Sequence, residues 1–132
     1  MPSVFSRIIA RELPAALVWE DEWCVAFLSI NPIRTGHTLV VPRLEVEDWL
    51  ECGDDLRDHL FAAAQRIGRA IDAVWHPEKV GLMISGLEVP HVHLHVIPVW
   101  GPGDLAFANA ASSVDPAALE VTAGEIRAVV ES

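Results

Sequence analysis

Two hydrophobic spacings alternate along this chain, and each predicts its own kind of element. Residues 16–20 and 24–28 are short apolar runs on either side of Glu20-Asp21-Glu22, which predicts two strands joined in a hairpin. Asn31-Pro32 and Thr35-Gly36 are turn signals, and residues 37–41 follow as a β-branched strand closed by Pro42. The spacing then changes. Leu56, Leu60, Ala64, Ile67, Ile71 and Val74 recur every third or fourth residue, which predicts one apolar stripe on a helix of about five turns. Asp54 or Asp55 is the expected cap, placing acid at the positive end of the helix dipole, and His76-Pro77 is the expected end. Residues 80–85 and 92–99 return to strand spacing, with 86–90 between them. Residues 6–11 predict a short opening helix ended by Leu13-Pro14. Asp115-Pro116 is a cap followed by a first-turn proline, and Thr122 to Glu125 read as a second capping box. This order predicts an α+β domain: an antiparallel sheet of about five strands, one long helix on one face and a short N-terminal helix.

Length and composition narrow the class. The chain has 132 residues, read as a single domain over 1–132 with a core at about 4–100 and a C-terminal tail at 101–132. It is 52% hydrophobic and 21% charged, which excludes wholesale disorder. No apolar run is long enough to span a bilayer, so no membrane association is expected. The opening Met1-Pro2-Ser3-Val4-Phe5-Ser6-Arg7 lacks the basic and apolar regions of a signal peptide, and the expected location is cytoplasmic. With 9 Lys+Arg against 19 Asp+Glu, the formal charge is −10, the wrong sign for an extended nucleic-acid groove. A small anionic ligand remains compatible, because a few local donors outweigh a distant field. Cys24 and Cys52 form no CxxC pattern and read as free thiols.

The chemistry concentrates in Pro90-His91-Val92-His93-Leu94-His95-Val96-Ile97-Pro98. On a strand, alternate side chains point to opposite faces. Val92, Leu94 and Val96 then enter the core, while His91, His93 and His95 share the other face, roughly 6.6 Å apart per two-residue step. A helix would scatter the three rings. Three aligned imidazoles suit a metal site of three His plus water. They equally suit nucleophilic catalysis, because neutral imidazole attacks phosphorus near pH 7 and the resulting phosphoramidate is cleaved by water. In that second use the neighbouring rings would fix the tautomer, protonate the leaving group and face the phosphate oxygens, and the central ring would be aimed into an open cleft.

The segment His91-Val92-His93-Leu94-His95-Val96-Ile97 resembles the histidine-triad (HIT) signature, His-φ-His-φ-His-φ-φ with φ hydrophobic. Glu20-Asp21-Glu22-Trp23-Cys24-Val25-Ala26-Phe27-Leu28 is similar to the family's acidic hairpin and second strand. Asn31 through Pro42 is similar to its Pro-x-x-x-Gly-His-x-φ-φ-φ-Pro segment. The likeness runs over about residues 4–100 in order. It implies a HIT-like fold and a hydrolase or nucleotidyl transferase acting on a nucleoside phosphoramidate, ester or dinucleoside polyphosphate. His93 would be the nucleophile at the α-phosphate, His95 a phosphate contact, and His91 a support from the other side. His37 would hydrogen-bond into the triad and orient it. Phe27, Leu28, Ser29 and Ile30 would form the nucleoside pocket, and Ser85 stands where the family commonly has a phosphate-contacting Asn. The resemblance also implies a purine nucleotide as small-molecule partner, a homodimer, and no required cofactor, with Mg²⁺ able to accompany a polyphosphate substrate.

Three departures matter. Ser29 stands where many members have an acid at the ribose. Glu88, in a short Gly86-Leu87-Glu88-Val89-Pro90 loop, replaces a neutral donor with an acceptor that repels phosphate unless it faces away or meets a cationic leaving group. Val4-Phe5-Ser6-Arg7 lacks the Cys-x-x-Cys with which some members bind zinc, so no structural zinc is expected. Ser29 and Glu88 keep open a nucleotide-binding module with little activity. His59 and His76 read as surface helix residues, and Trp49 and Trp100 are the tryptophans expected nearest the pocket.

Overall fold

A computed structural model describes residues 2–131. Five strands, β1 (Leu17–Glu20), β2 (Cys24–Leu28), β3 (Thr38–Pro42), β4 (Lys79–Met83) and β5 (Leu94–Val99), form one antiparallel sheet in the order β1-β2-β3-β5-β4. The helices are α1 (Val4–Ile9), α2 (Asp54–Trp75) and α3 (Pro116–Val130). This is the α+β architecture that the patterning predicts.

Every residue of β2 and β3 is buried, because the sheet is covered on both faces. The two-residue period sorts the side chains into two cores. Cys24, Ala26, Leu28, Val40, Leu94 and Val96 pack beneath α2 and α3 with Leu60, Ile67, Ile71 and Ile126. Val25, Phe27, Leu39 and Val41 form a smaller core with Phe5 of α1. The register sets Phe27 opposite Leu39 and Leu39 opposite His95, so His95 stands in one row with them on the α1 face.

Several boundaries differ from the sequence expectation, each for a local reason. The opening helix starts at Val4 because the Ser3 hydroxyl caps the Ser6 amide, and it ends before Arg11, which adopts φ 65. The long helix has 22 residues and its N-cap is Gly53, with no side-chain cap. Asp54 and Asp55 instead lie in its first turn, still at the positive end of the dipole. The fourth strand runs over Lys79–Met83 rather than 80–85. The triad strand begins at Leu94, not at residue 92. His91 and His93 therefore precede the ladder, where the amide of Val92 bonds to Val46 O and that of His91 to Val89 O. Pro42 on the neighbouring strand has no N–H with which to extend the pairing. Thr122 to Glu125 lie inside α3, so they cap nothing; Asp115 is the cap of that helix. The segment after Trp100 packs back onto the sheet, since Ala123, Ile126 and Val130 enter the larger core.

His59 is not a free surface residue. Its Nε2 lies 2.7 Å from Asp21 Oδ2 and its ring stacks on Trp23. Asp21, in the β1–β2 turn, also accepts from Trp19 Nε1 and from the amides of Trp23 and Cys24. Partial burial works to raise its pKa, but donation from Trp19, His59 and the two amides outweighs it and holds the carboxyl well below the usual range. This carboxylate clamps the hairpin onto α2. The Cys24 thiol beside it is pushed up to about 12 by burial and by Asp21, so it is inert rather than nucleophilic. No helix among the described residues is long and apolar enough to cross a membrane.

Candidate active site

The site is built from two short segments, Ile33–His37 before β3 and His91–His95 at the start of β5. Gly36 makes the turn into β3 at φ +100, against the Trp75 ring. The turn folds the His37 ring back onto its own loop, where Nδ1 accepts from the Ile33 amide at 3.1 Å. An amide can only donate, so the proton of neutral His37 sits on Nε2. That N–H donates to His95 Nδ1 at 2.9 Å. His95 then carries its own proton on Nε2, an atom that is buried without a hydrogen-bond partner.

The same logic fixes the other two rings. His93 Nδ1 donates to the His91 carbonyl at 2.7 Å, so that in the neutral ring it is Nε2 that holds the lone pair. His91 Nε2 donates to Pro42 O at 2.8 Å, and its Nδ1 accepts from the Ser3 hydroxyl at 2.6 Å. Glu45 holds the Ser3 amide in turn. Burial, with the nearby imidazoles adding, lowers the pKa of His37 to about 3 and that of His95 to about 4; Glu88 opposes the shift at His95. Burial also lowers the pKa of His91, against the opposing pull of the Pro42 carbonyl and Glu45. All three rings are therefore neutral at pH 7, as their hydrogen bonds require.

The arrangement bears unequally on the two chemistries of aligned imidazoles, although Glu88, His93 and His95 bring ligand atoms within 4.8 Å of one another. A three-imidazole metal centre is not on offer, because both nitrogens of His91 are engaged and His95 Nε2 carries a proton that the Ile33–His37 relay fixes in place. The His93 and His95 rings lie with centroids 4.9 Å apart, so the free Nε2 of a neutral His93 would stand beside the Nε2–H of His95.

His93 and His95 line a cavity of about 350 Å³, at the small end of small-molecule sites. The cleft is open at its mouth, where Ile30 and Glu88 are exposed, but His93 at its floor is only 1% exposed. Phe5 covers His93 edge-on at 4.9 Å between centroids, and Phe107 covers His95 at 5.2 Å. Phe27, Ser29 and Ile30 lead from the histidines to the exposed mouth, where Ile30 is 67% exposed. Leu28 borders the cavity, but its side chain belongs to the core beneath α2. The Ser29 hydroxyl oxygen accepts from the Asn31 amide.

Glu88 faces into the site. Its Oε1 lies 3.8 Å from His93 Nε2 and 3.8 Å from His95 Nε2, while Oε2 accepts from the Ser85 hydroxyl at 3.1 Å. Partial burial would raise the Glu88 pKa, but hydrogen bonds from its own amide and Ser85, with the two rings, keep it lowered. Ser85 itself is exposed, and it meets the site through its hydrogen bond to Glu88.

Phe5 and Phe107 are the wall residues that the sequence reading missed. Phe107 lies in a stretch with no periodic signal, and Phe5 reads only as one apolar residue of a short helix. Trp100 lies elsewhere, under the Arg34 guanidinium, which Asp104 also pairs. Trp49 sits in a separate 3₁₀ turn capped by Asp48. Neither tryptophan lines the histidine cavity.

A family model described as HIT domain matches residues 10–100. A Bacillus subtilis protein called Protein hit is 40% identical over 108 residues, covering 76% of this chain and 73% of that one. A crystal structure of a Hit-like protein involved in cell-cycle regulation from Bartonella henselae matches with TM-score 0.84 and 27% identity, over 96% of this chain and 95% of that one. The structure of a hypothetical histidine triad nucleotide-binding protein from Sulfolobus tokodaii matches with TM-score 0.84 and 29% identity, over 96% and 91% of the two chains.

Proposed function

The chain belongs to the HIT family, and from that premise we propose that it is a nucleotide hydrolase or nucleotidyl transferase with His93 as its nucleophile. The observation that carries the reading is the 2.7 Å bond from His93 Nδ1 to the His91 carbonyl, which leaves the Nε2 lone pair on the cavity side. In the first half-reaction that lone pair forms a bond to the α-phosphorus, and the bond to the leaving group breaks. Water then attacks the nucleotidyl-histidine, and the electron pair of the P–N bond returns to Nε2. The His95 Nε2–H donates to a phosphoryl oxygen, which satisfies an otherwise orphaned buried donor. His37 orients that donor, and His91 holds the carbonyl on which the His93 tautomer depends.

Phe27 and Ile30 are suited to the face of a purine and Ser29 to one hydroxyl of the ribose. The substrate class is a nucleoside phosphoramidate, ester or dinucleoside polyphosphate, so the activity is that of a phosphoramidase or dinucleoside polyphosphate hydrolase. None of these steps calls on a cofactor, and Mg²⁺ would serve only to neutralise a polyphosphate. A homodimer is part of the proposal. β4 is an edge strand, and Leu82 and Phe61 are exposed beside a groove of about 640 Å³ between it and α2. Sedimentation at twice the chain mass tests that part.

Incubation with adenosine 5′-phosphoramidate and with dinucleoside polyphosphates tests the activity, with His93→Ala as control. Turnover by the wild type that His93→Ala abolishes supports the reading. Nucleotide binding that survives His93→Ala, with no turnover by the wild type, supports a binding module instead, the alternative to which the position of Glu88 lends weight.

A further inference from the structure

The hydrogen bonds that make His93 a nucleophile leave its chemistry short of a proton carrier. Breaking a bond to an amine or alcohol requires a proton on the departing atom, and attack by water requires a base. His95 cannot supply that proton. Its Nδ1 is occupied by the His37 N–H, and His37 cannot give up that proton without becoming an imidazolate, since its Nδ1 accepts from the Ile33 amide. Both nitrogens of His91 are committed to Pro42 and Ser3. Among the described residues, the remaining titratable side chain on the cavity wall, apart from the nucleophile, is Glu88.

Its position suits the task. Glu88 Oε1 is equidistant, at 3.8 Å, from His93 Nε2 and His95 Nε2, the two atoms that a phosphoryl group must touch. That separation is longer than a hydrogen bond, so no partner there locks the oxygen. The side chain is 47% exposed and can swing aside as a substrate enters while staying against the reacting centre. The groups facing it are the Ser85 hydroxyl, its own amide, His93 and His95. None is an anion, so the charge of a bound phosphoryl group would be the first like charge beside it and would favour uptake of a proton.

Resting on the reading of His93 as nucleophile, we propose that Glu88 is the acid–base residue of both half-reactions. As the acid, it gives its proton to the leaving nitrogen or oxygen while the bond from that atom to phosphorus breaks and the His93–phosphorus bond forms. As the carboxylate, it takes a proton from the water that attacks phosphorus, and the P–N electron pair returns to His93. The proton taken in the second half is the one given in the first half of the next turnover. The carboxylate that distinguishes this loop from a neutral donor is then a working group rather than a defect.

Leaving-group dependence in Glu88→Gln tests this role. Two substrates are compared, an alkylamine phosphoramidate of AMP and the p-nitrophenyl ester of AMP, whose leaving group departs without a proton. Glu88→Gln should lose roughly 10²-fold or more in kcat/KM on the phosphoramidate. On the ester it should release about one nitrophenolate per site at close to the wild-type rate and then stall, because the water step has lost its base. AMP binding by calorimetry, no weaker than in the wild type, would show the site intact. Equal losses on both substrates, or no loss on the phosphoramidate, would overturn the role of Glu88 and leave that of His93 standing. A wild type that cleaves neither substrate would overturn both.

Discussion

His37 and His95 share one hydrogen bond, Nε2 to Nδ1 at 2.9 Å, and its direction is set by the amide of Ile33 on the far side of His37. A backbone group thus dictates, through two rings, that the last nitrogen of the relay presents a proton to the cavity. Replacing His37 with Ala would strand the Ile33 amide and His95 Nδ1 in a buried place. Each buried unpaired group costs about 1–3 kcal/mol, so His37→Ala should destabilise the fold by roughly 2 kcal/mol or more in urea denaturation. An unchanged midpoint would mean that the relay does not exist.

The pH dependence of stability follows from the same rings. His37 and His95 have pKa values of about 3 and about 4 in the folded chain, lowered by burial and by neighbouring imidazole. The unfolded value is about 6.5. Between about pH 6.5 and pH 4 the unfolded chain binds protons that the native chain does not, so stability falls as the pH drops through this window. It should be fully present above about pH 7 and decline below that by up to about 1.4 kcal/mol per pH unit for each ring. Urea midpoints at pH 7.5, 6 and 5 measure it. A flat profile would contradict the neutral, buried relay.

Two glycines should respond to alanine with opposite signs. At Gly36 the backbone lies at φ +100 and an added Cβ would come within 2.8 Å of the Trp75 ring. Gly36→Ala should cost about 1–3 kcal/mol and displace His37. At Gly124, inside α3, the nearest atom to an added Cβ is Arg127 Nη2 at 3.7 Å, an ordinary contact. Gly124→Ala should stabilise by up to about 1 kcal/mol through helix propensity. Thermal melts of both variants decide the matter.

Phe107 lies outside the stretch matched by the family model, yet it packs its edge on His95 and lines the cavity. Phe107→Ala would take from a bound ligand an aromatic contact of a kind worth about 0.5–1.5 kcal/mol. AMP binding should weaken by roughly 2- to 10-fold, with little change in the melting temperature, because the side chain is 42% exposed. Unaltered affinity would place the ligand away from His95.

The residues of the triad were legible because alternation at period two aligns three rings on one face whatever the fold around them. Where the strand begins was not legible. That boundary depends on Pro42, on a different strand, failing to pair with the residues before Leu94. Off-stripe spacing on α2 placed His59 on the surface, but the hairpin turn swings Asp21 over it, a contact between residues far apart in sequence that no local pattern encodes. The charge of Glu88 was readable, but its direction was not, because that is set by a short loop and by hydrogen bonds from its own amide and Ser85. Phe107 carried no periodic signal, so one of the three phenylalanines of the cavity wall was invisible until the chain after β5 was seen to return.

The central claim is that His93 Nε2 forms a bond to phosphorus. Rapid acid-free quenching of the protein with an AMP phosphoramidate, followed by peptide mass spectrometry, tests this directly. The account predicts an acid-labile adenylyl adduct on the peptide containing His93, absent from His93→Ala. Turnover with no adduct, or with the adduct on another residue, would contradict it.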